Sequence, residues 1–358
     1  MPRALMLVSQ AANAGLRADV AAGRRPRPEY LHLEQAYGVD LLDWSALPFG
    51  VQRRSVRGSL VHVAAAMRRL DGYDVVFTDG EHLGIPLGLA LRATGRALPH
   101  LMLGHHLTTP AKRRVFRALR PQGRISRILV HSRRQIEVAQ QELGLQTGQL
   151  SFVPYFADTE FWASRQVEEE TLVVTAGREH RDYATLAAAC EGLDLRVAVA
   201  AGSLHSPGAP WRPPLAWPEN FKLLHMLDRV ALRDLYARAS VVAIPVLNTD
   251  FQAGVTTLLE AMSMGKAVVV SATEGQRDIV EDGETGILVP PGDAGAMRNA
   301  IRRLVENPRE RSRMGENARR EAQTRFSLDA YASAIASHLE DLARWTAVDG
   351  GRAAAKPA

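Results

Sequence analysis

Apolar runs of strand length alternate with helical runs along almost the whole chain, and the alternation pauses once and restarts. ALMLV (4–8), YDVVFT (73–78), LPHLMLG (98–104) and ISRILVHS (125–132) read as strands. SVRGSLVHVAAAMRRL (55–70), IPLGLALRA (85–93), AKRRVFRALR (111–120) and RRQIEVAQQEL (133–143) read as the helices between and after them. Pro121 stops the third helix, because proline lacks the N–H and its ring clashes with the preceding turn. Repeated strand–helix units bury both faces of a sheet, which predicts a parallel, doubly wound α/β fold.

The pause falls after FVPYFADTEFW (152–162), at RQVEEE (165–170), a charged stretch suited to a linker. Strand and helix signals then resume with TLVVTAG (171–177), DYATLAAAC (182–190) and LDLRVAVAA (193–201). Five prolines between residues 206 and 220 mark a loop. NFKLLH (220–225), VALRDLYARA (230–239), SVVAIP (240–245), KAVVVS (266–271), GILVP (286–290) and MRNAIRRLVE (297–306) continue the series. The expectation is two Rossmann-like domains, 1–164 and 165–326, facing across a cleft. The amphipathic run 327–345 is expected to pack back on the first domain, and 350–358 to fray.

A length of 358 residues suits two such cores. No run approaches 18 apolar residues, so no membrane span is expected. Cys190 is the single cysteine, which excludes an intramolecular disulfide and a cysteine zinc cluster and makes a reducing cytoplasm the expected compartment. Residues 1–160 hold 21 Lys and Arg against 13 Asp and Glu, a balance of +8, within a whole-chain charge of +5. No acid occurs from His82 to Ile136. Such asymmetry suits an anionic partner for the first half, and equally a solvated basic face.

Chemistry concentrates in FQAGVTTLLEAMSMGKAVV (251–269). A helix starting near Gly254 leaves the amides of Val255, Thr256 and Thr257 without intrahelical partners at the positive end of its dipole, an anion site suited to phosphate. Glu260 lies one turn beyond Thr256 on the same face, where a ribose attached to that phosphate would offer two hydroxyls. An arginine from elsewhere would also satisfy it. AGREHRDY (176–183) follows the first strand of the second half, and Arg178 and Arg181 there can offer forked donors to a diphosphate or serve as surface cations. No P-loop, G-x-G-x-x-G after a strand, H-E-x-x-H, G-x-S-x-G or Asp-x-Asp motif occurs, so no metal site is expected.

The second half resembles the donor-binding domain of family-4 retaining glycosyltransferases of the GT-B fold. Their two glutamates eight residues apart, followed by Ala-Met and Gly-x-Pro-Val-Val, correspond to Gln252, Glu260, AM and GKAVV. The likeness continues through RDIVEDGETGILVPPGDAGAMRNAI (277–301), VALRDLYARASVVAIP (230–245) and VPYFADTEFW (153–162). The resemblance implies sugar transfer from a nucleotide-diphosphate-sugar, a substrate rather than a cofactor, with the anomeric configuration retained. It gives Glu260 to the donor ribose, the 255–257 amides to the phosphates, and Arg178 and Arg181 to the leaving diphosphate. Gln252 takes the place of the glutamate that touches the donor sugar, and Asp250 is an alternative carboxylate if the loop is shifted. On the acceptor side it points to His105 at a strand end, beside His106. Gly15, in a loop after the first strand, and Glu81, in a third loop, are further acceptor-side residues. Lys112, Arg113, Arg114, Arg117 and Arg120 around Val115, Phe116 and Leu119 suit an anionic or lipid-linked acceptor, or peripheral contact with the inner membrane face. No nucleic-acid motif accompanies the charge. A GT-B sugar-nucleotide epimerase or phosphorylase, and a catalytically silent nucleotide-sugar binder, remain as alternatives.

Overall fold

The computed structural model describes residues 1–48, 55–202, 211–224, 227–249 and 251–353. The chain forms two compact units. Unit 1 comprises Met1–Ala21, Arg27–Pro154 and Tyr331–Ala358, and unit 2 comprises Ala22–Pro26 and Tyr155–Ala330.

Unit 1 runs β1 (Ala4–Leu7), α1 (Ala14–Ala21), α2 (Glu29–Tyr37), β2 (Asp40–Leu42), α3 (Val56–Met67), β3 (Val75–Thr78), α4 (Glu81–Thr94), β4 (His100–Gly104), α5 (Pro110–Leu119), β5 (Arg127–Val130), α6 (Arg133–Leu143) and β6 (Leu150–Phe152). Its six strands are parallel, in the order β2-β1-β3-β4-β5-β6. β1, β3 and β4 are buried at every residue, which is why they read as unbroken apolar runs: helices cover both faces of the sheet.

Unit 2 continues with β7 (Glu170–Ala176), β8 (Arg181–Asp182), α7 (Tyr183–Cys190), β9 (Arg196–Ala200), β10 (Trp211–Arg212), β11 (Phe221–Leu224), α8 (Arg229–Arg238), β12 (Ala239–Ile244), α9 (Val255–Ser263), β13 (Ala267–Ser271), β14 (Ile287–Val289), α10 (Ala294–Glu306) and α11 (Pro308–Arg325). A final helix, α12 (Leu328–Ala353), follows. The main sheet is parallel, in the order β11-β9-β7-β12-β13-β14, while β8 and β10 form a small separate pair. Counted within the main sheet this is the 3-2-1-4-5-6 Rossmann order, with its reversal between β7 and β12.

Several elements differ from expectation. α2, β2 and α11 carry weak apolar periodicity. α11 buries only Met314, Gly315, Ala318 and Ala322, a narrow stripe of small residues under an otherwise charged surface. α4 begins at Glu81 rather than Ile85, so Glu81 is a helix residue and not a loop one. Likewise Gly15 lies in the first turn of α1, whose Leu16 amide is capped by the Asn13 side chain. The charged stretch 165–170 does not end as free linker. β7 starts at Glu170, which pairs with Arg196 and Arg238, while Glu169 pairs with Lys266 and Arg311. α12 runs through Gly350 and Gly351 to Ala353, and the rest of the expected tail lies outside the described residues. Among the described residues no helix is long and apolar enough to cross a membrane.

One glycine sets the approach of α11 to the turn after α9. A Cβ on Gly315 would lie 2.1 Å from the carbonyl oxygen of Gly265, a backbone atom. Gly315→Ala should cost about 1–3 kcal/mol through overpacking and lower the thermal midpoint by several degrees. Scanning calorimetry checks it; an unchanged midpoint would mean α11 can shift at no cost.

Candidate functional site

In open α/β sheets, ligands bind where the strand order reverses, beyond the carboxyl ends of the strands. In unit 2 the two strands at the reversal are β7 and β12, so the loops that matter are 177–180 and 245–254. Main-chain bonds tie these loops together: Asp182 N donates to Pro245 O at 3.0 Å and Leu247 N to His180 O at 2.8 Å.

Between them lies the guanidinium of Arg181, which is 3% exposed. Its Nε donates to Ala176 O at 2.9 Å, Nη1 to Glu179 O at 3.1 Å and Nη2 to the Thr257 hydroxyl at 3.0 Å. All three acceptors are neutral oxygens, and no ion pair joins Arg181 to a carboxylate among the described residues. The group fits only because two residues lack a Cβ. A Cβ on Gly177 would lie 2.6 Å from Nη2, and one on Gly254 2.7 Å from Nη1. Both glycines also hold positive φ, 89° and 84°, a region that favours glycine. The expectation of a surface fork is therefore corrected: Arg181 spends its donors inside the protein, beneath the start of α9, because the strand β8 turns it inward. Arg178, on the loop before it, is half-buried.

Gly254 is the N-cap of α9 and provides no side-chain cap. The first intrahelical bond runs from Leu258 N to Gly254 O, so the amides of Val255, Thr256 and Thr257 precede the ladder. Val255 and Thr257 are buried and Thr256 is exposed. Open amides, the helix dipole and an unpaired buried cation together favour an anion at this end.

One turn along, Glu260 is 4% exposed. Tyr236 donates to its Oε2 at 3.2 Å, and Arg229 Nη1 stands 3.6 Å from Oε1. Burial pushes the carboxyl up to about 7, against the pull of Arg229, Tyr236 and Arg181. Burial and the Glu260 charge push the Tyr236 phenol well above its ordinary value, so it stays a donor. Neither Tyr236 nor Arg229 was singled out in the sequence, since nothing in their spacing relates them to residue 260. Gln252, 8% exposed, donates through Nε2 to Gly275 O at 3.1 Å, and Asp250 lies outside the described residues.

In unit 1 the strand order reverses between β1 and β3. Ser9, after β1, donates from its amide and hydroxyl to Asp79 Oδ2 at 2.5 and 2.7 Å, closing that point. Burial raises the Asp79 carboxyl. His105 follows β4; its Nε2 lies 3.0 Å from Asp79 O, and since a carbonyl only accepts, Nε2 carries the proton and Nδ1 is left as an acceptor. Its own carbonyl accepts from Gln135 Nε2 at 2.7 Å. The nearby His131 is held neutral, its pKa pulled down to about 3 by burial and by His105. Glu81 differs from an acceptor-facing loop residue. It is buried, its Oε1 takes the His106 amide at 2.6 Å and Lys112 Nζ at 3.1 Å, and Lys112 keeps it ionised. Lys112 also donates to His106 O, so Glu81, His106 and Lys112 form one brace. Arg113 pairs with Glu142, and Arg117 donates to Glu142 O, which gives three of the four α5 cations partners within unit 1.

Two Rossmann-like parallel-sheet units in one chain are the GT-B fold, and solved GT-B structures match accordingly. Sucrose-phosphate synthase from Thermosynechococcus elongatus superposes with a TM-score of 0.71 at 19% identity, covering 95% of this chain and 99% of that one. Anabaena HepE in complex with UDP-glucose superposes with a TM-score of 0.68 at 17% identity, covering 95% and 100%. In sequence, residues 215–321 match the family model Glycosyl transferases group 1, a stretch that includes Gln252 and Glu260 but neither Arg178 nor Arg181. Alpha-D-kanosaminyltransferase from Streptomyces kanamyceticus is 35% identical over 85 residues, 24% of this chain and 22% of that protein. MMP alpha-(1->4)-mannosyltransferase from Mycolicibacterium hassiacum is 35% identical over 115 residues, 32% of this chain and 27% of that protein. The matches thus span about a quarter of the length of these curated relatives.

The raised Glu260 carboxyl makes stability depend on pH. Folding favours its protonated form, so its contribution is complete below about pH 4.5 and is lost as pH rises through about 7, by up to about 3 kcal/mol. Glu260→Gln should remove that slope. The stability difference between variant and parent, measured by urea unfolding at pH 5 and pH 8, should shift in favour of the variant at pH 8; a pH-independent difference would contradict the burial of an ionisable Glu260.

Proposed function

We propose that the protein is a glycosyltransferase that moves a sugar from a nucleotide-diphosphate-sugar to an acceptor held by unit 1. The carrying observation is the α9 start at the β7–β12 reversal: three open amides with Arg181 beneath them and Glu260 one turn along. The amides and the helix dipole take the diphosphate, and Glu260 accepts from the ribose hydroxyls. Arg178 reaches the outer side of the diphosphate, and Arg181 acts on it through space from below. Arginines and the helix dipole supply the charge that a divalent cation supplies elsewhere, so the reaction needs no metal. The names of the two curated relatives, both sugar transferases, support the same class, as does the Glycosyl transferases group 1 match over 215–321.

The configuration at the anomeric carbon is retained, in the manner of family-4 enzymes. The bond from that carbon to the diphosphate oxygen breaks as the acceptor oxygen bonds on the same face. The acceptor proton passes to the departing phosphate oxygen, so no protein base is required. His105, with Nδ1 left as an acceptor, orients an acceptor hydroxyl. The charge of unit 1 favours an anionic acceptor, and the exposed cations Arg114 on α5 and Arg120 after it are the place for peripheral contact with anionic lipid at the inner membrane face.

Thermal shift against UDP-, GDP- and ADP-sugars tests the reading, because a ligand that binds the native state raises the midpoint by mass action. One family of nucleotide sugars should stabilise the protein, and Glu260→Ala should abolish both that shift and transfer. Consumption of the donor without any acceptor would favour an epimerase or phosphorylase instead. Ribose hydroxyls stabilise the ionised carboxylate, so donor binding should release a proton near neutrality and tighten as pH rises from 6 to 8. Calorimetry in buffers of different ionisation enthalpy reads the proton; an equal release by Glu260→Gln would remove Glu260 from the site.

A further inference from the structure

A cavity of about 350 Å³ opens on unit 1 at the amino ends of β4, β5 and β6. Its walls are the segment before β4, the 3-10 turn Pro121–Arg124 with the start of β5, Gln149 before β6, and Leu342 of α12. Small-molecule sites begin at about this size, near 300 Å³. The groups discussed so far stand at the carboxyl ends of the strands. β4 separates the cavity from His105 by roughly 15–20 Å, at about 3.3 Å per residue.

One side of the cavity is apolar: Leu98, Pro99, Ile125 and Leu342. The other side offers donors. Arg124 is half-buried, and among the described residues its guanidinium has no ion pair or hydrogen bond. Ser126 Oγ accepts from the His100 amide at 3.1 Å, which leaves the hydroxyl hydrogen to donate. The carbonyls around it are engaged: Gln149 Nε2 donates to Gln122 O at 3.1 Å and to Ile125 O at 3.3 Å, and Val76 N to Pro99 O at 2.9 Å. No acid lines the cavity, which lies wholly on the acid-free stretch 82–136 apart from Gln149 and Leu342. Asp341, next to Leu342, is held by Arg344 at 2.9 Å and Arg127 at 3.7 Å.

We propose that this cavity binds a small organic anion, with its charged group on Arg124 and Ser126 and its apolar body against Leu98, Pro99, Ile125 and Leu342. A forked guanidinium suits a phosphate or carboxylate end. A bare inorganic ion would leave the apolar wall in water, and a neutral apolar molecule would leave the guanidinium without a counter-charge, so the ligand needs both parts. The cavity shares no residue with the donor end of unit 2 or with His105. Its occupant therefore sits apart from the reacting groups, and the site stands whether or not the protein transfers a sugar.

Phenyl phosphate, inorganic phosphate and phenol are the probes, titrated calorimetrically into the full chain. Phenyl phosphate should bind at least about tenfold more tightly than either of its halves. Arg124→Gln should weaken phenyl phosphate about tenfold or more, the loss of one charge-assisted contact, and leave the affinity for UDP, GDP or ADP within about twofold. Phenyl phosphate that binds the variant as tightly as the parent lies elsewhere, for example at the start of α9, and overturns the proposal. So does phenyl phosphate that binds the parent no better than inorganic phosphate, or not at all. Ser126→Asp, at an exposed position, gives a second reading should Arg124→Gln unfold. It sets a carboxylate beside Arg124 and should abolish phenyl phosphate binding while nucleotide binding stays; unchanged phenyl phosphate binding overturns the site.

Discussion

The Arg181 guanidinium, wedged between Gly177 and Gly254 beneath the first turn of α9, is the contact on which the donor end of unit 2 depends. It joins the end of β7 to the start of α9, since it bonds Ala176 O and the Thr257 hydroxyl. It also fixes the glycines, because neither position has room for a side chain. A buried cation with only neutral partners is costly unless an anion lies nearby. The Glu260 carboxyl is close enough to feel it but is itself raised to about 7, so the compensation is incomplete in the free protein. A bound diphosphate would complete it. The cost of ordering the site is thereby met in the fold before the ligand arrives.

Polar groups are also kept out of water and short of partners in the loops beside α9 and, in unit 1, at the strand reversal: Gln252 and Gln276 Oε1, and Asp79 Oδ1. The glutamines spend their amides on the loop ahead of α9, Gln252 Nε2 on Gly275 O and Gln276 Nε2 on Ala253 O, so they scaffold it. Buried polar groups are rarely left unsatisfied in ordinary cores. Their gathering beyond the carboxyl ends of parallel strands, rather than in the middle of the hydrophobic layers, fits loops shaped for a ligand site at the expense of stability.

The fold was legible because fully buried parallel strands are written as unbroken apolar runs, and Rossmann helices as their periodic neighbours. Elements without such a signature were not. α11 packs on Met314, Gly315, Ala318 and Ala322, too small a stripe to stand out among nine charged residues. At the site, the α9 amides and Glu260 followed from helix geometry alone. The inward turn of Arg181 did not, because it depends on β8, on Gly177 and on the distant Gly254. Tyr236, Arg229, Asp79 and Gln276 reach their places through tertiary contacts across 23 to 70 residues and leave no local trace. Glu81 was misplaced for a related reason: the helix start that buries it against Lys112 lies four residues before the apolar periodicity begins.

The account is tested most directly by a crystal structure of the protein with a nucleotide sugar that stabilises it. The diphosphate should lie on the amides of Val255, Thr256 and Thr257, within reach of Arg178, with both ribose hydroxyls on Glu260. A nucleotide bound elsewhere, or one whose ribose leaves Glu260 still facing only Tyr236 and Arg229, would contradict it.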